Sequence, residues 1–183
     1  HVPALERMYR KRLKVYSDLG YQIRFGDQEN TISRIYDGKT FYQDFIQDIT
    51  NAAHDILLVC PHMHHTQIQK LLPVLQQIKS SGVSIYVHTG IEASEATDIA
   101  DEKADALATL KKAGVSIACF DGLQQRYAII DQRIVWYGNV DFLSFNRNDA
   151  SVIRFDNADI AGELRDLSSE NGGKQLTIDD YFE

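Results

Sequence analysis

Apolar residues in this chain occur either in runs of strand length or in stripes at helical spacing. Runs that are apolar throughout predict strands buried on both faces. Residues 56–60 form such a run, and the apolar-rich stretches at 31–36, 83–88, 115–120, 127–130, 134–137 and 151–155 predict further strands. Stripes that recur every three or four residues predict helices. They lie at 2–18, 41–53, 68–78, 104–110 and 160–167, with Thr40 and Gln43 spaced as a capping box and Asn157 as an N-cap.

Strands and helices alternate between residues 56 and 120. Right-handed crossovers place such strands parallel in one sheet. The apolar runs on either side of Asp131-Gln132-Arg133 predict a β-hairpin that joins this sheet. We therefore predict an α/β fold with a central, mostly parallel mixed sheet and helices on both faces.

Composition fits one globular domain, since 44% of the 183 residues are hydrophobic and 25% are charged. No apolar run approaches the roughly 20 residues of a membrane span, so we expect a cytoplasmic protein without membrane contact. Cys60 and Cys119 are predicted buried free thiols. The chain starts at His1-Val2 without a methionine, which suggests a piece of a longer protein or a tag remnant.

The net charge of −7 weighs against generic nucleic-acid binding, which depends on Lys and Arg. The charge is uneven, however, because the first 25 residues are basic and the end of the chain is acidic. The basic cluster fits either a solvated helix face or a phosphate-backbone contact.

The hairpin and the residues around it resemble the phospholipase D-like superfamily. Members carry His-x-Lys-x-x-x-x-Asp on such a hairpin, followed by a Gly-Ser-x-Asn turn. Here Gln124 stands at the His position, Arg126 at the Lys position, and Asp131 matches. The turn reads Gly138-Asn139-Val140-Asp141, so only its glycine is retained. The match covers roughly residues 37–167, and it implies the fold predicted above.

The resemblance implies a reaction through a phosphohistidine, and the Gln124 amide has no suitable lone pair for that step. Arg126 retains donors that suit a phosphate, so we predict phosphate binding there. The family normally needs two such motifs, and the chain contains no second one. We therefore expect a degenerate domain without confident catalytic residues, without a cofactor and without a metal.

Four histidines are further cleft candidates. His62, His64 and His65 follow the strand at 56–60, and His88 is predicted to end the next strand on the same side. Ligands of open α/β sheets bind at such strand ends. A metal site or a substitute nucleophile are the functional alternatives, and surface or structural histidines are the commoner case. Trp136 and Tyr137 are predicted core residues rather than base-stacking surfaces.

We predict three segments: a basic helix with short strands at 1–36, the phospholipase D-like domain at 37–167, and a polar linker with a C-terminal peptide at 168–183. Gln175, Ile178, Tyr181 and Phe182 fit the spacing of a sliding-clamp-binding peptide. The alternative is that these residues pack back on their own domain.

Three hypotheses for function remain at this stage. The first is a degenerate, non-catalytic domain of a larger DNA-processing protein, similar to those fused behind helicase or restriction-type motors, that binds nucleic acid or assists assembly. The second is a phosphodiesterase or nuclease active as a homodimer with an unconventional nucleophile. The third is a protein-interaction module that recruits a sliding clamp through its tail.

Overall fold

The computed structural model describes residues 32–91, 97–144, 150–170 and 175–176. The strands are β1 (Ile32–Asp37), β2 (Asp55–Cys60), β3 (Ser84–Ile91), β4 (Ser116–Asp121), β5 (Tyr127–Ile130), β6 (Ile134–Gly138), β7 (Ser151–Asp156) and β8 (Gln175–Leu176). The helices are α1 (Phe41–Thr50), α2 (His65–Ser80), α3 (Thr97–Lys112) and α4 (Ala158–Glu170). The helix predicted at 2–18 lies outside the described residues.

The strands form one mixed sheet in the order β1-β7-β6-β5-β2-β3-β4-β8. Parallel pairing joins β2 to β3 and β3 to β4, and the other neighbours are antiparallel. The predicted α/β fold with a mixed sheet is confirmed. Fewer strands pair in parallel than expected, because the hairpin and its neighbours add antiparallel strands on one side of β2. That arrangement puts β5 in the middle of the sheet, directly beside β2.

Helices cover both faces of the sheet, as predicted. Alternate residues of β2 point to opposite faces, which is the normal period of a strand. Ile56, Leu58 and Cys60 belong to a core that includes buried residues of α1, α2 and α3. Leu57 and Val59 belong to a second core beneath α4. Both faces of β2 are therefore buried, which explains its uninterrupted apolar sequence.

A polar network joins α1 to the centre of the sheet. The Trp136 indole donates to Asp48 Oδ2 at 2.8 Å, and the Arg154 guanidinium contacts both oxygens of that carboxylate, at 2.7 and 3.1 Å. Trp136 is fully buried, which fits the prediction of a core residue, whereas Tyr137 is 46% exposed, unlike that prediction. The Trp136 N–H and Arg154 thus share one carboxylate partner in an otherwise apolar core.

The two predicted helix caps differ in outcome. Asn157 Oδ1 accepts the backbone N–H groups of Asp159 at 2.8 Å and Ile160 at 3.1 Å, so the predicted N-cap of α4 is confirmed. The capping box at Thr40 is wrong, because its hydroxyl makes no cap bond and instead donates to Asp37 Oδ1 at 2.9 Å. The Thr40 hydroxyl therefore bonds to Asp37 and does not cap the helix.

Helix α4 continues to Glu170, so its last turn includes Ser168, which the sequence had suggested for the linker. Ser168 is buried, and its Oγ donates to the Arg165 carbonyl oxygen at 2.9 Å. Among the helices of the described chain, none combines the length and apolarity that crossing a bilayer requires.

Candidate functional site

The hairpin β5–β6 turns through Asp131 and Gln132. Both residues have left-handed backbone conformations, with φ of 51° and 55°. Two consecutive left-handed residues form a turn whose twist matches that of the flanking strands, and the Arg133 N–H closes it on the Ile130 carbonyl oxygen at 3.1 Å. The Asp131 carboxylate accepts backbone N–H groups from Ala53, His54 and Asp55 at 2.7 to 3.2 Å. The one acidic residue of the motif that is retained therefore anchors the loop before β2.

Arg126 lies at the opposite end of β5, where the carboxyl end of β2 also lies. Its Nε donates to Asp141 Oδ1 at 3.0 Å, and Nη1 donates to the Gln124 carbonyl oxygen at 3.0 Å. The side chains of Arg126 and Asp141 are only 16% and 8% exposed. The His62 backbone N–H lies 3.5 Å from the same Asp141 oxygen. The structure thus brings Gln124, Arg126 and Asp141 together and leaves Asp131 a strand length away.

Burial beside this ion pair makes Cys60 chemically inert. Cys60 ends β2 and is fully buried. Loss of hydration raises the pKa of its thiol strongly, and the negative charge of Asp141 raises it further. A nucleophilic cysteine needs a stabilised thiolate, and this environment favours the thiol. Cys60 is therefore held as a thiol and not as a thiolate nucleophile.

The turn after β6 explains why its glycine is retained. A side-chain carbon added at Gly138 would lie 2.2 Å from the Ser151 carbonyl oxygen and 2.9 Å from Val152 Cα. Asn139 follows, and its Oδ1 accepts the Ser151 backbone N–H at 2.8 Å. Gly138 and Asn139 therefore fasten β6 to β7, and Asn139 acts as a structural residue.

The three histidines after β2 have separate partners. His64 Nδ1 lies 2.9 Å from Glu102 Oε1 on α3, and His65 Nε2 lies 2.9 Å from the Gln69 side-chain amide. The hydrogen bond to His64 lowers the pKa of Glu102. His62 is exposed and contacts Asp141 through its backbone alone. Within the described ranges, no three His, Cys, Asp or Glu side chains are grouped as a metal site would require.

His88 is displaced from the predicted position at a strand end. Strand β3 continues to Ile91, because Thr89, Gly90 and Ile91 pair with β4. The His88 ring contacts the Phe120 ring in a tilted arrangement, with ring centroids 5.0 Å apart, and lines a cavity of about 320 Å³ beside Arg165. Burial lowers its pKa from the ordinary value of 6.5, and Arg165 adds to this effect. His88 belongs to the face beneath α4, away from Arg126.

The sequence analysis did not predict the contacts of two acidic residues, Asp141 and Glu102. Asp141 was recognised only as a changed motif position, although it neutralises Arg126. The joint change of Lys to Arg and of Asn to Asp in the family frame was an available signal. Glu102 had no such signal, because its partner His64 is 38 residues away in the chain.

Comparisons with known proteins identify the family and the fold. The family model described as "Cardiolipin synthase, PLD-like domain" matches residues 45–169. No curated protein matches the chain. Among solved structures, the chain is similar to NucT from Helicobacter pylori, with a TM-score of 0.60, 13% identity, and coverage of 75% of this chain and 92% of NucT.

Two further structures share the fold. Nuc from Salmonella typhimurium, a phospholipase D family member, gives a TM-score of 0.61 at 12% identity over 78% of this chain and 97% of Nuc. TrmBL2, an archaeal chromatin protein with a novel mode of DNA binding, gives a TM-score of 0.50 at 13% identity, over 91% of this chain and 60% of TrmBL2. With the family model covering most of the described sheet, the chain belongs to the phospholipase D-like (PLD-like) family.

Proposed function

We propose that this chain is a non-catalytic PLD-like domain of a larger, helicase-type DNA-processing protein, which it serves in binding or assembly. The observation that carries the proposal is the Arg126–Asp141 ion pair in a centre where Gln124 replaces the histidine. The family centre uses a nucleophile and a cation that is free to bind phosphate. Gln124 stands in place of the nucleophile, and Asp141 neutralises the cation Arg126.

The first function is the nucleophile. A carboxamide nitrogen shares its lone pair with the carbonyl, so Gln124 cannot form the covalent phosphoenzyme that the family reaction requires. Of the histidines after β2, His64 is bound to Glu102 on α3 and His65 to the Gln69 side-chain amide. Cys60 is buried as a thiol. These observations support a domain without its own hydrolytic step.

The second function is the cation. Phosphate contact by Arg126, expected from the sequence, competes with an internal carboxylate that already accepts its Nε–H. An incoming phosphate would meet the negative charge of Asp141, and removing one member of a buried pair leaves the other uncompensated. We infer that the main role of Arg126 is to hold the turn at 138–143 against β5.

Assembly has support from the opposite face of the sheet. Ile35, Ile153 and Tyr137 lie in register across β1, β7 and β6. Ile35 is 69% exposed and Tyr137 is 46% exposed. Exposed apolar groups in one row are typical of surfaces that pack on a partner. Together with the net charge of −7, this row favours a protein partner such as a motor domain over the phosphate backbone of DNA.

A measurement of nucleic-acid binding distinguishes a closed centre from a phosphate site at Arg126. We expect Arg126→Ala and the matched control Arg133→Ala, at the exposed hairpin turn, to change affinity for labelled single-stranded and duplex DNA equally, within about twofold. A loss of about tenfold confined to Arg126→Ala would contradict the closed centre and restore a phosphate site. Motor motifs in the reading frame upstream of His1 would support the helicase association.

A further inference from the structure

A cavity of about 240 Å³ lies where α1 and α2 begin. Its described lining consists of Gly38, just before α1, Phe41 and Tyr42 of α1, and Gln67 and Lys70 of α2. Binding sites for drug-sized ligands have volumes of roughly 300–1,000 Å³. This cavity therefore suits a smaller molecule, and its five residues are separate from the ion pair described above.

Gln67 is the buried polar residue of this lining. Only 7% of Gln67 is exposed, yet its Nε2 donates to no acceptor among the residues that the structure describes. An unpaired buried donor is unfavourable, and folded proteins contain few of them. No hydrogen bond holds this amide in place, and the terminal torsion of a glutamine side chain is soft, so a rotation turns its N–H groups into the cavity. A ligand with an acceptor oxygen would satisfy them.

The start of α2 favours a negative charge in the cavity. A helix N-terminus carries a partial positive charge, and the first turn of α2 has no acidic residue. Its N-cap, His64, makes no side-chain cap bond within the described chain. Lys70 is exposed and adds a formal positive charge. The carboxylates near α1 already have partners, because Asp37 accepts two backbone N–H groups of its own turn and Asp44 accepts the Tyr36 hydroxyl.

Aromatic rings form the apolar part of the lining. Phe41 is almost fully buried, whereas Tyr42 is 36% exposed. Their ring centroids are 6.4 Å apart and the rings meet edge to face. A flat apolar group packs well against rings in such arrangements. The cavity thus combines an aromatic wall with a donor and a cation.

We propose that this cavity binds a small aromatic carboxylate. Gln67 and Lys70 are three residues apart on α2, so their side chains are neighbours on the helix surface. The carboxylate accepts the Gln67 amide N–H and pairs with the Lys70 ammonium group. The aromatic ring of the ligand lies against Phe41 and Tyr42.

Benzoate is the probe, titrated into the full chain and followed by NMR of the side-chain amide groups. We expect the Gln67 resonance, identified by its loss in Gln67→Leu, to shift and saturate with a dissociation constant of roughly 0.1–10 mM. A Gln67 resonance that stays unmoved throughout the titration would overturn the proposal, because water or another part of the chain would then satisfy Nε2.

Two further probes test the two halves of the ligand. Benzamide keeps the ring and lacks the charge, and acetate keeps the charge and lacks the ring. We expect each to bind at least about tenfold more weakly than benzoate. Equal affinity for benzamide would overturn the choice of an anion, and equal affinity for acetate would overturn the choice of an aromatic group.

Gln67→Leu removes the amide at nearly constant size. We expect the affinity for benzoate to fall at least about tenfold, without a lower urea midpoint, because no described side-chain bond is lost. Gln76→Leu, on the exposed surface of the same helix, is the matched control and should change the affinity less than about twofold. Unchanged affinity in Gln67→Leu, with a lower urea midpoint, would show that the amide is purely structural and would overturn the proposal.

Lys70→Met tests the cation at an exposed position, where folding is not at risk. We expect the affinity for benzoate to fall about threefold and the affinity for benzamide to stay the same. Arg126→Ala is the control for the other cationic centre and should change neither affinity by more than about twofold. Loss of benzoate binding in Arg126→Ala, with unchanged binding in Lys70→Met, would place the anion elsewhere and contradict the site.

Discussion

Arg126 and Asp141 form a nearly buried ion pair, with Nε 3.0 Å from Oδ1, at the carboxyl end of β2. In the family frame these positions are a lysine and an asparagine, so the two changes add a longer cation and the carboxylate that neutralises it. The pair fixes the segment before β5 to the turn after β6. Arg126 therefore has an internal carboxylate partner at this end of the sheet.

Asp141→Asn should reveal this internal contact. The substitution leaves Arg126 without a charged partner, and we expect a loss of about 1–3 kcal/mol in the free energy of unfolding, because the amide still accepts a hydrogen bond. The same variant should bind inorganic phosphate more tightly than wild type. Urea unfolding and a phosphate titration measure the two effects. The control is Asp156→Asn, which breaks the exposed Arg133–Asp156 pair and should change both quantities much less. Equal effects in the two variants would show that burial of Arg126 is unimportant.

Asp131→Ala should destabilise the domain without any effect on ligand binding at Arg126. Its carboxylate accepts three backbone N–H groups before β2, and loss of charged acceptors leaves those donors unpaired. We expect a loss of about 1–3 kcal/mol in urea unfolding. Gln132→Ala, at the next turn position, makes one side-chain bond to Asp55 and serves as the control. A larger effect in Gln132→Ala would contradict the anchoring role of Asp131.

Gly138→Ala tests why the motif retains its glycine. The added methyl group would collide with the backbone of Ser151, which cannot move without disturbing β7. Overpacking of this kind should cost at least about 2 kcal/mol. Gly162→Ala is the opposite case, since nothing lies within 4 Å and the residue is inside α4. That change should stabilise the chain by about 0.5–1 kcal/mol. Thermal unfolding of both variants checks the contrast in sign.

Because His88 is half-buried, we expect the free energy of unfolding of the domain to depend on pH. The folded-state pKa of His88 is lowered by burial, so the unfolded chain binds its proton more readily. The stabilisation from neutral His88 is therefore complete above the unfolded pKa of about 6.5 and is lost as pH falls through it. His88→Phe keeps an aromatic ring beside Phe120 and should reduce the loss of stability between neutral and mildly acidic pH. An unchanged pH profile of urea midpoints would remove His88 from the explanation.

The strands and helices between β2 and α4 could be predicted from sequence because burial on one or two faces imposes a period on apolar residues. Ends were less predictable. The strand at 83–88 was predicted to end at His88, yet β3 continues to Ile91, and the buried Thr89 pairs with Cys119. Thr40 carries the sequence of a cap, but the nearby Asp37 carboxylate takes its hydroxyl.

The resemblance to the family identified the residues of the candidate site, but it did not predict the ion pair between Arg126 and Asp141. Sequence alone placed Gln124, Arg126 and Asp141 near one hairpin. It could not state that Arg126 is already neutralised, since that depends on how the turn after β6 folds back on β5. The pairing of Gln175 and Leu176 with β4 depends likewise on contacts about 56 residues apart along the chain.

Turnover of a phosphodiester is the most direct test of the closed centre. The full chain is incubated with bis-p-nitrophenyl phosphate and with labelled DNA, alongside Gln124→Ala and His64→Ala. We predict no hydrolysis above the buffer blank in any of the three proteins. Reproducible hydrolysis by the wild type that is lost in Gln124→Ala or His64→Ala would contradict the proposal, because a residue of this domain would then be performing the chemistry.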